Sequence, residues 1–259
     1  VLAGGHSLLP MMKMRFAAPP HLVDLNGVDE LRGISMDGDT IVIGAMTTEN
    51  ELIASDILAA KCPLLPDAAR QIADPQVRNR GTIGGDICHG DPANDQPAVT
   101  MAADASYVLR GSNGERTVHS SEFFLGAFYT ALNPDEIMTQ IRIPAANGAS
   151  GSAYVKLKRK TGDWATAAAA VQLTLDGGSW SSIRIALTNA NQTAFRAEDA
   201  EALLTGKAID EALITAAVEM VMAAADPVED LRGSVEYKTQ MTGEMTRRAI
   251  RQALAQAGA

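Results

Sequence analysis

Alternating and helical spacings of apolar residues follow one another along this chain, and they predict its elements in order. Leu22-Val23-Asp24-Leu25 reads as a short strand. Residues 31–36 and 40–45 alternate on either side of Asp37-Gly38-Asp39, a hairpin signal. Thr48 then precedes Glu49-Asn50-Glu51 as a helix N-cap, and Leu52, Ile53, Ile57 and Leu58 continue at helical spacing. Pro63 and Pro66 interrupt that pattern. Residues 67–73 predict another helical segment that ends near Asp74-Pro75. Tyr107-Val108-Leu109 is a strand closed by the turn at 111–114, and residues 136–143 alternate until Pro144.

The stretch 145–152 is rich in Ala, Gly and Ser, which makes it the linker, and the composition shifts beyond it. Residues 153–158, 165–175 and 183–187 predict three strands, with Asp176-Gly177-Gly178-Ser179 as a turn between the last two. Three helical patterns follow at 197–204, 210–225 and 234–257. Arg247, Arg248 and Arg251 lie in the C-terminal half of the last, where cations suit the helix dipole. The fold class expected is α+β throughout: a first domain over residues 1–148, then a smaller one over 149–259 with a three-stranded sheet and helices.

Composition narrows the chemistry. The chain has 259 residues, 46% of them hydrophobic but only 4% aromatic, so a real core must be built from Ala, Leu, Ile, Val and Met. A net charge of -9 argues against nucleic-acid binding. Cys62 and Cys88 are too few for a disulfide framework or an iron–sulfur cluster. They suit a reducing compartment. His21 and His119 lack ligand spacing, so no metal site is expected. No signal peptide or bilayer-spanning run is legible, the Ala-rich segment 165–171 being too short. The charges of Asp67, Arg70, Asp74, Arg78 and Arg80 read as a solvated face rather than acid–base machinery.

Two glycine-bearing loops carry the candidate chemistry. One is Ala3-Gly4-Gly5-His6-Ser7; the other is Thr82-Ile83-Gly84-Gly85-Asp86. Paired glycines admit a ligand close to the backbone, and successive N–H groups form a concave anion site. Two such loops suit a diphosphate. The first comes only two residues into the chain, whereas a phosphate loop normally follows a strand. A strand and helix ahead of Val1 are therefore expected to be missing from the sequence.

With these loops, the runs Leu8-Leu9-Pro10-Met11-Met12-Lys13, Asn79-Arg80-Gly81 and residues 154–165 make the chain resemble the FAD-binding medium subunits of the molybdenum hydroxylases, the xanthine dehydrogenase and carbon monoxide dehydrogenase group. The likeness covers essentially the whole chain. It implies an FAD-binding domain of the vanillyl-alcohol oxidase type, made of two α+β subdomains, and a C-terminal flavoprotein domain. It also implies an electron-transfer role. Electrons reach FAD from [2Fe–2S] clusters on a small subunit, fed by a molybdopterin site on a large subunit, and leave for a quinone, a cytochrome or NAD. The expected complex is a heterotrimer, itself dimerised, in the cytoplasm or at the inner face of the membrane.

On that resemblance Ala3, Gly4, Gly5, His6 and Ser7 hold the diphosphate, and Thr82, Ile83, Gly84, Gly85 and Asp86 form the second nest. Cys88, His89 and Met138 stand at family contact positions, and Asn94 and Asp95 reach the adenosine end, Asp95 toward the ribose hydroxyls. Lys158 is placed near the flavin, where a cation favours the reduced form, with Lys156, Arg159 and Lys160 competing for that place. Trp164 is placed over the ring. Wider-family members often have Asn where this chain has Asp86, and the Asp86–Asp95 run is similar to the carbon monoxide dehydrogenase branch. No side chain is expected to act as a catalytic acid or base. FAD is expected to be non-covalent; a self-sufficient flavin oxidase with FAD attached at His6, or a non-catalytic assembly subunit, are the alternatives.

Overall fold

The computed structural model describes residues 1–146 and 149–258. After the first glycine loop comes α1 (Leu8–Lys13). Leu2 forms a parallel bridge with Asp24, and this bridge is all that remains of the strand expected at 22–25. The hairpin forms as expected from β1 (Ile34–Asp37) and β2 (Thr40–Gly44). The single helix expected after Thr48 is two: α2 (Glu49–Ala54) and α3 (Asp56–Lys61). Ser55 divides them. It leaves α2 in an extended conformation, and its hydroxyl then caps α3 by accepting from the Leu58 N–H at 3.3 Å.

The next helix, α4 (Leu64–Ala69), begins before the expected residue 67. Pro66 does not interrupt it, because it lies in the first turn, where a missing N–H costs nothing. Short α5 (Pro75–Arg78), α6 (Ile83–His89) and α7 (Asp95–Ala102) follow. β3 (Ser106–Gly111) and β4 (Gly114–His119) form a hairpin. Then come α8 (Ser120–Phe123), the small pair β5 (Phe124–Gly126) and β6 (Tyr129–Thr130), and β7 (Ile137–Pro144).

The second half comprises β8 (Ala149–Leu157), β9 (Ala167–Asp176), β10 (Ser179–Thr188), β11 (Phe195–Arg196), α9 (Glu198–Leu204), α10 (Glu211–Ala224) and α11 (Val235–Ala257). Residues 149–152, expected in the linker, belong to β8. Residues 147 and 148, the rest of the expected boundary, lie outside the described residues. The sheet has four strands rather than the expected three, in the order β11-β10-β9-β8.

The first half is built on a five-stranded antiparallel sheet, β1-β2-β7-β3-β4. Ile41 pairs with Ile143 and Ile43 with Ile141, and all four are fully buried on one face. In the second sheet both faces are covered. Ala168 and Ala170 of β9 pack into the core of the first half, while Ala169, Val171 and Leu173 pack into a second core with α11 residues such as Ala249 and Ile250. A strand buried on both faces loses its alternation, and this accounts for the Ala-rich run. On the face of β8 that meets the first half, Lys156 reaches the site.

Candidate functional site

The two glycine loops lie directly against each other. A Cβ on Gly4 would stand 2.3 Å from the Arg80 carbonyl oxygen and 2.9 Å from Gly81 Cα, on the residues that lead into the second loop. At Gly84 a Cβ would meet the Ala45 carbonyl oxygen at 2.6 Å. Only glycine allows either approach. Both loops border one cavity of about 510 Å³, within the range of roughly 300–1,000 Å³ usual for cofactor clefts.

The loops offer different chemistry. In the first, the N–H groups of Gly4, Gly5, His6 and Ser7 meet no acceptor among the described residues, and the Ser7 hydroxyl caps nothing. These four amides form the free nest. In the second, the expected nest is already spent on the protein. The Ile83 N–H bonds Thr47 O at 3.0 Å, Gly84 bonds Ala45 O at 2.9 Å, Asp86 bonds Thr82 O at 3.0 Å, and Gly85 bonds Thr82 Oγ1 at 3.2 Å. Thr82 is the N-cap of α6. The second loop therefore contributes close approach rather than free donors.

Of the expected residues, Ala3, Gly4, Gly5, His6, Ser7, Thr82, Gly84, Gly85, Asp86, Cys88, His89, Asn94, Asp95, Met138 and Trp164 all border the cavity. Ile83 and Lys158 do not. Ile83 is fully buried in the first core, and the Lys158 ammonium bonds the Gln71 carbonyl at 3.0 Å. Lys156, two residues earlier and on β8, takes the place in the wall. Asp95 faces protein groups instead of standing free for ribose hydroxyls. Its carboxylate accepts from the Tyr154 hydroxyl and pairs with the Lys156 ammonium at 2.7 Å. Asn94 donates to the Asp86 carbonyl at 3.1 Å.

Glu49 is the residue the sequence reading missed, having served there only as part of a helix start. It is 2% exposed and borders the cavity. Gln96 donates to its Oε2 at 2.7 Å, while Oε1 has no partner. Burial pushes its carboxyl up to about 8, the Gln96 hydrogen bond opposing and Asp95 adding to the rise. Asp86, whose Oδ1 is likewise unpartnered, is displaced well above the carboxylate range by burial and by neighbouring Glu49, Asp95 and Asp91. The wall beside an anion nest therefore holds protonated acids, which do not repel a diphosphate. Burial also lifts the Cys88 thiol to about 12 and lowers His89, which keeps that imidazole neutral near pH 7.

The far rim comes from the second half. Trp164 is half exposed, with the Arg232 guanidinium 5.6 Å from its ring centroid. Asp163 holds that arrangement, accepting from Arg232 at 3.0 Å and Arg159 at 2.9 Å. Burial raises the Asp163 carboxyl, but these bonds outweigh it and leave it below the usual range.

Comparison with known proteins agrees with this geometry. Residues 1–146 match the family of the FAD binding domain in molybdopterin dehydrogenase, and residues 152–253 match the CO dehydrogenase flavoprotein C-terminal domain. The chain belongs to the FAD-binding medium subunits of the molybdenum hydroxylase family and is an oxidoreductase subunit. Within that family it is 56% identical to the carbon monoxide dehydrogenase medium chain of Hydrogenophaga pseudoflava, over 98% of this chain and 89% of that one. It is 49% identical to the medium chain from Afipia carboxidovorans, over 99% and 89%. The solved carbon monoxide dehydrogenase of Hydrogenophaga pseudoflava superposes with a TM-score of 0.97 at 58% identity, over 98% of this chain and 89% of that one.

Proposed function

We propose that the chain is the FAD-carrying electron-transfer subunit of a carbon monoxide dehydrogenase complex, with residues 1–148 as its FAD domain and 149–259 as its flavoprotein C-terminal domain. The relatives' names, each a medium chain, support a multi-subunit assembly. In this reading its partners are a large molybdopterin subunit and a small subunit with [2Fe–2S] clusters, and two such heterotrimers associate. Electrons leave for a quinone, a cytochrome or NAD. The complex is placed in the cytoplasm, in keeping with two free cysteines; no described helix is long and apolar enough to cross a membrane.

The observation that carries the reading is the meeting of both glycine loops on one cavity that has four uncommitted amides. Gly4, Gly5, His6 and Ser7 hold a diphosphate by N–H donation, and the second loop lets it lie against the backbone of Gly84 and Gly85. FAD, when bound, supplies two-electron storage with one-electron exchange. Protonated Asp86 and Glu49 keep the wall neutral, and the Lys156–Asp95 pair adds no net charge. Trp164 stands at the rim, its ring held by Arg232.

Titrating the purified full chain with FAD tests this. The expected result is saturable binding with an oxidised-flavin spectrum, lost in Gly4→Val because its side chain would strike the Arg80 backbone. Acid precipitation is expected to leave the flavin in the supernatant. A chain that stays colourless with excess FAD overturns the reading, and flavin carried into the pellet points to attachment at His6.

A further inference from the structure

We propose that Glu49 takes up one proton when the dinucleotide binds, which makes cofactor affinity in this cavity proton-linked. The inference rests on the FAD reading above and adds a residue to its site.

Glu49 stands at the first position of α2, is almost completely buried, and borders the cavity with Oε1 unpartnered. The charges that face it come from four elements. α5 brings Arg78, whose guanidinium donates to the Ile72 carbonyl at 2.8 Å instead of pairing with Glu49. α6 brings Asp86, and α7 brings Asp95 beside Gln96. β8 brings Lys156, which is committed to Asp95 at 2.7 Å. The loop before α7 adds Asp91, which acts on Asp86. No described cation is therefore paired with Glu49 or Asp86. The Glu49 carboxyl, raised to about 8 by burial, is partly ionised in the free chain just above neutrality. A diphosphate entering the cavity brings negative charge and displaces water, and both favour the protonated acid. Asp86, raised by its own burial and then by Glu49, Asp95 and Asp91, is the neighbouring acid from which the test must separate Glu49.

The sign follows from linkage. A group that gains a proton on binding weakens binding as pH rises above its free value, by about tenfold per pH unit. Titration calorimetry of the full chain with FAD, in buffers of different ionisation enthalpy, counts the protons directly. We expect uptake of about half a proton at pH 8, rising toward about one at pH 9. Glu49→Gln is expected to bind FAD with uptake near zero and with affinity flat from pH 7 to 9. Asp86→Asn is expected to retain uptake. Gln96→Met removes the hydrogen bond that favours ionised Glu49 and is expected to move the uptake maximum to higher pH. This variant, checked for fold by circular dichroism, serves if Glu49→Gln does not fold. FAD binding without proton uptake overturns this inference alone, as does wild-type uptake in Glu49→Gln or an unmoved maximum in Gln96→Met. Failure to bind FAD at any pH overturns the FAD reading, and this inference with it.

Discussion

Gly84 is the residue at which the site and the core compete for the same space. Its α-carbon lies so close to Ala45 that a methyl group would stand 2.6 Å from both the Ala45 carbonyl oxygen and its Cβ. The oxygen belongs to the backbone that follows β2 and the Cβ is fixed to it, so neither can rotate away. Gly84→Ala is expected to cost about 1–3 kcal/mol, the usual range for overpacking, and to weaken FAD binding as the second loop is displaced. Gly27→Ala is the control: no atom lies within 4 Å of its added methyl, and its change should stay within about 0.5 kcal/mol. Chemical denaturation of both variants measures the difference, and equal stabilities would refute the packing argument. Single residues were unevenly legible in the sequence. The glycines stood out because close approach leaves no substitute for them. Glu49 did not, since a Glu after a Thr cap is ordinary helix chemistry and its partner Gln96 lies 47 residues away on α7. Asp95 was visible as a carboxylate, but its partners Tyr154 and Lys156 lie about 60 residues away on β8.

Elements were legible where one face is wet and less so where both are dry. β2 and β7 alternate because Ile41, Ile43, Ile141 and Ile143 share one covered face. β11 is two residues long and is held by pairing with β10, so no pattern announced it. The break at Ser55 was hidden because helical spacing continues through it; the hydroxyl cap decides where the chain turns. α6 shows a cap with functional weight. Thr82 accepts the Gly85 N–H at 3.2 Å, and its own carbonyl receives the Asp86 N–H at 3.0 Å, so this one residue orders the turn that approaches the first loop. Thr82→Ala should cost about 0.5–2 kcal/mol, the normal loss for an N-cap. It should also raise the FAD dissociation constant, whereas Thr48→Ala, which removes the capping box of α2 but leaves the Thr82 cap on the Gly85 N–H, should show the stability loss with a smaller effect on FAD. A Thr82→Ala chain that binds FAD as tightly as wild type would mean that α6 needs no ordering by its cap.

At the scale of the whole molecule, the cavity depends on how the second sheet is fixed to the first half. Much of that junction is small and apolar, with Ala168, Ala170 and Ala186 packed into the first core. Small side chains allow close approach but specify register weakly. The polar clamp supplies the register: Asp95 at the start of α7 receives both the Tyr154 hydroxyl and the Lys156 ammonium from β8, and Gln71 donates to the Tyr154 carbonyl at 2.8 Å. The Lys156 side chain is 1% exposed and that of Asp95 6%, so neither charge can be solvated if its partner is lost. Breaking a buried pair from one side costs about 3–5 kcal/mol, while replacing both partners with groups of similar size is often close to neutral. Lys156→Met is accordingly expected to lower unfolding stability by that amount and to loosen FAD, because Asp95 would then add an unpaired charge beside Asp86 and Glu49. Asp95→Asn should be comparably harmful, since it leaves the ammonium buried alone. The double variant Lys156→Met/Asp95→Asn should recover most of the stability, because the introduced amide oxygen can still accept from the Tyr154 hydroxyl. A denaturant double-mutant cycle reads this as a coupling energy. Additive losses would refute the coupling, and a recovered double variant that fails to bind FAD would show that the charged pair sets the register of the cavity wall.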